Sequence, residues 1–207
     1  MLSGVETRPV VEKQAGFTLL EMMIAAGLTL LLLGVVIKVF VPAMSHSSQG
    51  TTRLELQQFA ILAHQQIHKE LSRTRFGGVS VAESNLLIHP QASLDSAGQP
   101  IWSDHVILFH LDSSSGKLGK YKLSSTPVKP NRYNAPGLLT LATSLPAPEK
   151  IVAGFVSEFK AEMPVPATAT VPGKPFQIKL VLEKKIARMD NPVQISLTQS
   201  FDFRTAE

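Results

Sequence analysis

A carboxylate near the start of a long apolar segment has the clearest chemical consequence in this chain. The segment covers residues 17–41, and Glu21 lies a few residues inside it. An unpaired charge in hydrocarbon costs several kcal/mol, so we expect Glu21 to have a partner of opposite charge. Gly16 directly precedes the segment, at its boundary with a polar leader.

The sequence Gly-Phe-Thr-Leu-Leu-Glu, which begins at Gly16, resembles the processing motif of type IV pilins and type II secretion pseudopilins. The resemblance implies that a membrane peptidase cleaves after Gly16 and that the new N-terminal residue, Phe17, is N-methylated. It also implies that Glu21 pairs with the N-terminal amine of a neighbouring subunit in a helical filament. The residues between them complete the assembly segment: Thr18, Leu19 and Leu20. A plain single-pass anchor with an incidental glutamate is the alternative.

Composition limits the classes of protein that remain. The 207 residues are 44% hydrophobic and 17% charged, which suits one ordinary domain plus the apolar segment. The net charge of +4 is spread thinly along the chain, so we interpret it as favouring solubility and expect no nucleic-acid partner. The chain has no cysteine, which excludes disulfides and thiol chemistry. Many major pilins carry a C-terminal disulfide, so its absence favours a minor pilin or pseudopilin.

The apolar segment is long enough to span a bilayer, at roughly 37 Å from a rise of about 1.5 Å per residue. It is too long for an ordinary secretory signal. Arg8 and Lys13 precede it and favour a cytoplasmic N-terminus. Together with the resemblance, these features imply a single-pass protein of the bacterial inner membrane whose C-terminal domain is periplasmic and which later enters a pilus or pseudopilus.

Four segments are predicted. Residues 1–16 form a cytoplasmic leader that is cleaved off, and residues 17–42 form a transmembrane and filament-core helix that kinks or leaves the membrane at Pro42. Residues 43–76 form an amphipathic stem helix, with a flexible or locally unwound stretch over 43–52 and an end at Gly77 and Gly78. Residues 77–207 form a β-sheet domain.

The β-sheet domain is predicted from short alternating segments. Residues 79–81, 86–89, 176–182 and 193–203 are strand candidates, and residues 105–111 and 118–123 form a hairpin around a polar turn at 112–116. Strand and short helix compete for residues 151–163. Prolines place loops at 126–136 and 164–175 and a turn at 190–192. The predicted fold is α+β, with the long N-terminal helix packed on one antiparallel sheet closed by the C-terminal strand.

Other candidate sites are not favoured by spacing. His64 and His68 are four residues apart on the predicted stem helix, but no third ligand has a fixed spacing from them, so we expect a solvated face and no metal. The aspartates in loops lack the spacing of a calcium site. No nucleophile elbow, phosphate loop or catalytic carboxylate pair is present. We therefore expect no enzymatic activity and no cofactor.

The expected function is that of a minor pilin or pseudopilin acting at or near the filament tip, where it helps to initiate assembly. The order of the later elements resembles J-type minor pseudopilins and W-type minor pilins. The implied partners are other pilins or pseudopilins, the prepilin peptidase and N-methyltransferase, and the inner-membrane assembly platform. The alternative is a tip adhesin or DNA-uptake pilin, which exposed aromatic side chains at Trp102, Tyr121 and Tyr133 would favour. A membrane-tethered enzyme would need a polar pocket, for which the sequence gives no signal.

Overall fold

The computed structural model describes residues 17–124, 135–164, 175–186 and 191–203. The chain divides into two compact units, Met1–Ser47 and Ser48–Glu207. The predicted leader lies outside the described residues, as do Tyr133 and most of the two predicted proline-rich loops. The division into four segments remains a prediction.

Helix α1, Leu19–Leu71, spans most of both predicted helical segments without a break. Its first half is rich in leucine, alanine and methionine, which are strong helix formers. The expected unwinding over residues 43–52 is wrong, because this stretch is helical throughout. Once a helix is nucleated, adding each further residue costs little, so weak helix formers can be carried between two strong segments. Pro42 lies inside the helix, and a kink there remains a prediction.

The C-terminal end of α1 is shorter than predicted. The helix stops at Leu71, and the amides of Arg73 and Thr74 then bond to carbonyls three residues back, at 3.1 and 3.2 Å. Such tightening of the last turn satisfies carbonyls that a helix end leaves unpaired. Gly77 and Gly78, which were predicted to end the helix, instead belong to a short 3-10 turn, Phe76–Gly78. A Cβ on Gly78 would lie 2.6 Å from the His89 carbonyl oxygen, so this glycine permits a close backbone approach.

The described part of the chain contains ten strands after α1, and every pair of neighbours is antiparallel. Their bounds are β1 Val79–Ala82, β2 Asn85–Ile88, β3 Gln91–Leu94, β4 Pro100–Trp102, β5 His105–Asp112, β6 Lys117–Ser124, β7 Lys150–Ala153, β8 Val156–Glu162, β9 Phe176–Lys184 and β10 Val193–Phe201. A five-stranded sheet has the order β1-β2-β5-β6-β7, a three-stranded sheet the order β10-β9-β8, and β3 pairs with β4. The α+β fold is thus confirmed.

The expectation of one sheet is wrong, because the segment over residues 151–163 contributes a strand to each of two sheets. Strand β7 pairs with β6, whereas β8 pairs with β9. Between them Phe155 adopts a φ of 61°, which is strained for a residue with a bulky side chain and redirects the chain. The predicted competition between strand and helix is therefore resolved as two strands separated by a break.

The hairpin of β5 and β6 is confirmed, with His105 opposite Ser124 and Asp112 opposite Lys117. The Asp112 carboxylate accepts hydrogen bonds from the Ser114 amide at 3.0 Å and from the hydroxyls of Ser114 and Ser115 at 2.6 Å. Because these donors stabilise the charged form, they lower the pKa of Asp112 to about 2. The polar turn is thus fixed by its own side chains.

A second helix, α2 (Ala135–Thr143), was not predicted, since Pro136 and Gly137 favour a loop. Proline is tolerated in the first turn of a helix, where its missing N–H would be unpaired anyway. Leu138 of α2 is fully buried, and it forms a small second core with side chains of the five-stranded sheet. The residues of this core are Ala82, Leu87, Val106, Leu108, Tyr121 and Leu138.

The main core is formed by the two larger sheets and by residues 48–71 of α1, which we call its outer half. The predicted apolar stripe of the helix is confirmed, and each of its residues is at most 4% exposed: Leu56, Ala60, Ala63, Ile67 and Leu71. Glu70 on the same helix is also buried, and its Oε1 accepts a bond from Lys120 Nζ at 3.0 Å. This ion pair connects α1 to β6, because a buried carboxylate needs a cationic partner.

Candidate assembly site at the start of the helix

The first turn of α1 is fixed by reciprocal bonds between Thr18 and Glu21. The Thr18 hydroxyl oxygen accepts a bond from the Glu21 amide at 3.2 Å. Glu21 Oε2 in turn accepts bonds from the Thr18 amide at 2.9 Å and from the Thr18 hydroxyl at 3.0 Å. Because Leu19 is the first helical residue, Thr18 is the N-cap and the arrangement is a capping box.

Sequence reasoning missed this role, although the signal was present. A threonine followed three residues later by a glutamate, at the start of an apolar run, is the sequence signature of a capping box. The carboxylate also favours the positive end of the helix dipole. Both bonds that the Glu21 carboxylate accepts end on Oε2, so Oε1 can still accept a bond from another subunit. The predicted pairing of Glu21 between subunits is therefore compatible with the cap, and it remains a prediction.

The apolar half of α1 is exposed in the single chain. Phe17 is 82% exposed and Leu19 is 80% exposed, and the same holds for large apolar side chains along this half of the helix up to Met44. Among the described residues, α1 is the one helix long and apolar enough to cross a membrane. Gly27 and Gly34 have open space where a Cβ would be, so a second helix could approach closely at either position.

These features define a class of protein with a capped, exposed apolar N-terminal helix that is long enough to cross a membrane, which is consistent with a single-pass membrane anchor. Residues 12–37 match the family model described as the prokaryotic N-terminal methylation motif. The match covers Gly16, Phe17 and Glu21, and it supports a precursor of the type IV pilin or pseudopilin kind. Such a motif implies processing by a prepilin peptidase and assembly with other pilins. No curated protein and no solved structure matches the chain.

The aromatic residues that would favour a ligand-binding tip subunit are not exposed where the structure describes them. Trp102 is 6% exposed and packs 5.3 Å from the His89 ring, and Tyr121 is 8% exposed. Tyr133 lies outside the described residues. These side chains contribute to packing, so this evidence does not support the alternative function.

The expectation that His64 and His68 share a solvated face is wrong for His64. His68 is exposed and packs 5.5 Å from the Phe201 ring, whereas His64 is only 3% exposed. His64 comes directly after the buried Ala63 and lies beside Leu197 of β10. Burial lowers the pKa of His64, an effect that the adjacent Leu197 backbone partly opposes. Among the described residues, neither ring nitrogen of His64 has a hydrogen-bond partner of normal geometry.

The buried imidazole predicts that the protein loses stability in mild acid. Below the ordinary histidine pKa of 6.5, the unfolded chain binds a proton that folded His64 resists, so the free energy of unfolding should fall as the pH is lowered. The slope from one group is at most about 1.4 kcal/mol per pH unit. Urea unfolding of the detergent-solubilised chain at pH 7.5 and 5.5, followed by Trp102 fluorescence, measures this change in the free energy of unfolding.

His64→Gln should reduce this pH dependence, because glutamine does not titrate. Burial also lowers the pKa of His110, so His110→Gln is the matched control and should remove only a separate part of the slope. An unchanged slope in His64→Gln would show that His64 does not resist protonation in the folded state.

Proposed function

We propose that this chain is a minor pilin or pseudopilin, a structural subunit that is processed in the bacterial inner membrane and assembles through its N-terminal helix. The observation that carries the proposal is the methylation-motif match over residues 12–37, together with the capped Glu21 at the start of an exposed apolar helix. The subunit would contribute to a type IV pilus or a type II secretion pseudopilus and would catalyse no reaction.

The exposed apolar helix needs a cover both before and after assembly. Apolar surface kept from water contributes about 25 cal/mol per Å², so a subunit that leaves the bilayer must bury this helix in the filament. In a filament, the apolar helices of several subunits would bury one another, and close approach at Gly27 and Gly34 would extend their contact. Before assembly the same surface would be covered by lipid, so the helix serves both as anchor and as filament core.

Glu21 would fix the register in which neighbouring subunits pack. In a low-dielectric filament core, a carboxylate and the N-terminal amine of a neighbouring subunit attract strongly, but each is costly to bury without the other. Only a packing register that brings the two charges together avoids this cost. Glu21 Oε1 is the oxygen available for the amine, because Oε2 already accepts the capping bonds.

A place at or near the tip is the finer part of the proposal. The absence of cysteine and the order of helix, hairpin and late strands support a minor subunit of the J or W type. The partners would then be other subunits of the same filament, the prepilin peptidase and the assembly platform. The domain from Ser48 onward would lie on the periplasmic side of the inner membrane.

Cleavage after Gly16 tests the proposal directly. The intact mass of the membrane-extracted protein is expected to correspond to residues 17–207 plus one methyl group. Gly16→Val should leave the precursor uncleaved, because a branched side chain hinders an extended peptide at the cut site. Gly4→Val, a matched glycine change within the leader, should be processed normally. A mature N-terminus near Ser45, or an uncleaved wild-type chain, would contradict the proposal.

A further inference from the structure

Strand β10 forms an open edge of the three-stranded sheet. Among the described residues it pairs only with β9, over its full length and without a shift in register. Its segment, Val193–Phe201, contains no charged residue and no proline. Proteins usually protect an edge strand with charged side chains, proline or a bulge, because its free backbone groups can pair with another chain. Strand β10 itself carries none of these three protections.

The hydrogen bonds of β9 show which residues of β10 turn their backbone groups to this edge. The Glu183 amide of β9 donates to the Phe155 carbonyl at 2.7 Å, on the β8 side of the strand. Successive residues of a strand point their backbone groups to opposite sides, so those of Leu182 point to β10. Its direct partner, Ile195, therefore bonds back to β9. The alternate residues of β10 present their amides and carbonyls at the open edge: Gln194, Ser196, Thr198 and Ser200.

The C-terminal end of this edge borders a groove, which we call the terminal groove. One wall is formed by residues within 68–75, at and after the end of α1, and the other by residues 199–203. Its volume of about 870 Å³ lies within the range of about 300–1,000 Å³ found for binding sites. Leu71 and Phe201 give it apolar surface. Because Ser200 also lines the groove, a strand added to β10 at this point would enter it.

Arg75 supplies the terminal groove with a cation. It is half-buried and forms no ion pair with a carboxylate of the described residues, whereas Arg73 lies 3.6 Å from Glu70. Asp202, the acidic residue on the groove, is exposed and does not pair with Arg75 either. A guanidinium group presents its donors in a planar fork that matches a carboxylate. The charge of the groove therefore fits an extended segment that carries a carboxylate.

We propose that the terminal groove binds an extended acidic segment of a partner protein, which adds to β10 as a further strand. The backbone of the segment bonds to the edge-facing groups of Thr198 and Ser200. A carboxylate of the segment pairs with Arg75, and an apolar side chain covers Phe201. In strand addition of this kind, main-chain bonds give affinity and side-chain contacts give specificity. The inference does not rest on the proposed role in a filament.

A labelled peptide tests the groove on the detergent-solubilised full-length chain. The probe is Val-Thr-Val-Glu-Val-Thr with a C-terminal amide, so that glutamate is its single carboxylate, and fluorescence anisotropy measures binding. One peptide per chain is expected to bind. Replacing the glutamate of the probe by glutamine should weaken binding by about tenfold or more, because a hydrogen bond to a charged group contributes this much. Absence of binding by the parent peptide would overturn the proposal.

N-methylated peptides test strand addition itself. Two versions of the probe, each methylated on one alternate set of amides, keep every side chain but block opposite edges of the peptide. Only the version whose methylated amides face away from β10 should bind. Equal binding of both versions would overturn the proposal, since it would show that main-chain bonds are not used.

Matched variants of the chain locate the contacts. Arg75→Gln should bind the parent peptide about tenfold or more weakly and should no longer distinguish it from the glutamine version. Arg53→Gln, which changes an exposed arginine elsewhere on α1, should bind like the wild type. Wild-type affinity in Arg75→Gln would overturn the proposed charge pairing.

Proline variants test the edge. Ser200→Pro removes an edge-facing amide but no bond to β9, so it should prevent binding while the chain stays folded. Gln194→Pro makes the same change at the far end of the edge, outside the groove, and should bind normally. Thermal unfolding followed by Trp102 fluorescence verifies the fold of both. Normal binding by Ser200→Pro would overturn the proposal. Self-association that Ser200→Pro abolishes and the peptide does not displace would do the same, since it would assign the edge to a second copy of this chain.

Discussion

Replacing Glu21 by alanine is expected to leave cleavage after Gly16 largely intact while filament incorporation falls by at least about tenfold. Removing one partner of a buried ion pair costs about 3–5 kcal/mol, because the other charge stays buried alone. Since about 1.4 kcal/mol corresponds to a factor of ten, even partial burial of the pair gives a loss of this size. Immunoblots of sheared filaments measure incorporation, and intact mass measures cleavage on the same cells.

Two matched variants separate the charge of Glu21 from its capping role. Glu21→Gln keeps an oxygen that can accept the Thr18 amide bond but removes the charge. Thr18→Val removes the hydroxyl of the cap but keeps the charge, and loss of an N-cap costs about 0.5–2 kcal/mol. If charge pairing drives assembly, Glu21→Gln should be as defective as Glu21→Ala, and Thr18→Val should assemble much better than either. Normal assembly of Glu21→Ala would refute the pairing between subunits.

Fragments of the chain are expected to fold if they keep the outer half of α1 and to aggregate if they lack it. A fragment that starts at Gly50 is expected to fold, because it retains the helical stripe that lies in the core. A fragment that starts at Gly78 loses that stripe and the Glu70 partner of Lys120. Its sheets would expose a large apolar surface, so it should aggregate. Dispersed amide spectra for the longer fragment and aggregation of the shorter one, measured by NMR and size-exclusion chromatography, are the expected results.

Two isoleucines on the same helix provide the control within the longer fragment. Ile67 is fully buried and Ile61 is 50% exposed. Ile67→Ala should lower the free energy of unfolding by about 2–5 kcal/mol, because it leaves a cavity in the core. Ile61→Ala should change it by about 0.5 kcal/mol at most, as exposed substitutions usually do. Equal effects, or equal behaviour of the two fragments, would show that this helix does not pack on the sheets.

Periodicity predicted those parts of the fold in which one face is buried and the other is solvated. The stripe from Leu56 to Leu71 and the hairpin around Asp112 are of this kind. Their side-chain spacing predicts both the type of element and the face that is buried. The two strands over residues 151–163 were ambiguous, because the break at Phe155 depends on a backbone angle that no local pattern encodes. Helix α2 was missed because its proline and glycine outweighed Leu138, whose burial comes from tertiary packing.

The candidate sites likewise divide into features that consecutive residues predict and features that depend on distant contacts. The motif around Gly16 and Glu21 was readable because it lies in consecutive residues, and the match over residues 12–37 agrees with it. Burial of His64 was not readable, because it depends on the position of β10, which is more than a hundred residues away in the chain. The Glu70–Lys120 pair is likewise a contact between distant residues. Long-range contacts of this sort have no signature in a single sequence.

The capping box also bears on the entropy of association. A frayed first turn would have to become ordered at the moment when a neighbouring subunit arrives, and ordering of this kind weakens binding. The Thr18–Glu21 bonds close that turn within the isolated subunit. If Glu21 pairs with a neighbour's amine as proposed, its carboxylate is already oriented before docking, and the conformational cost of association is lower.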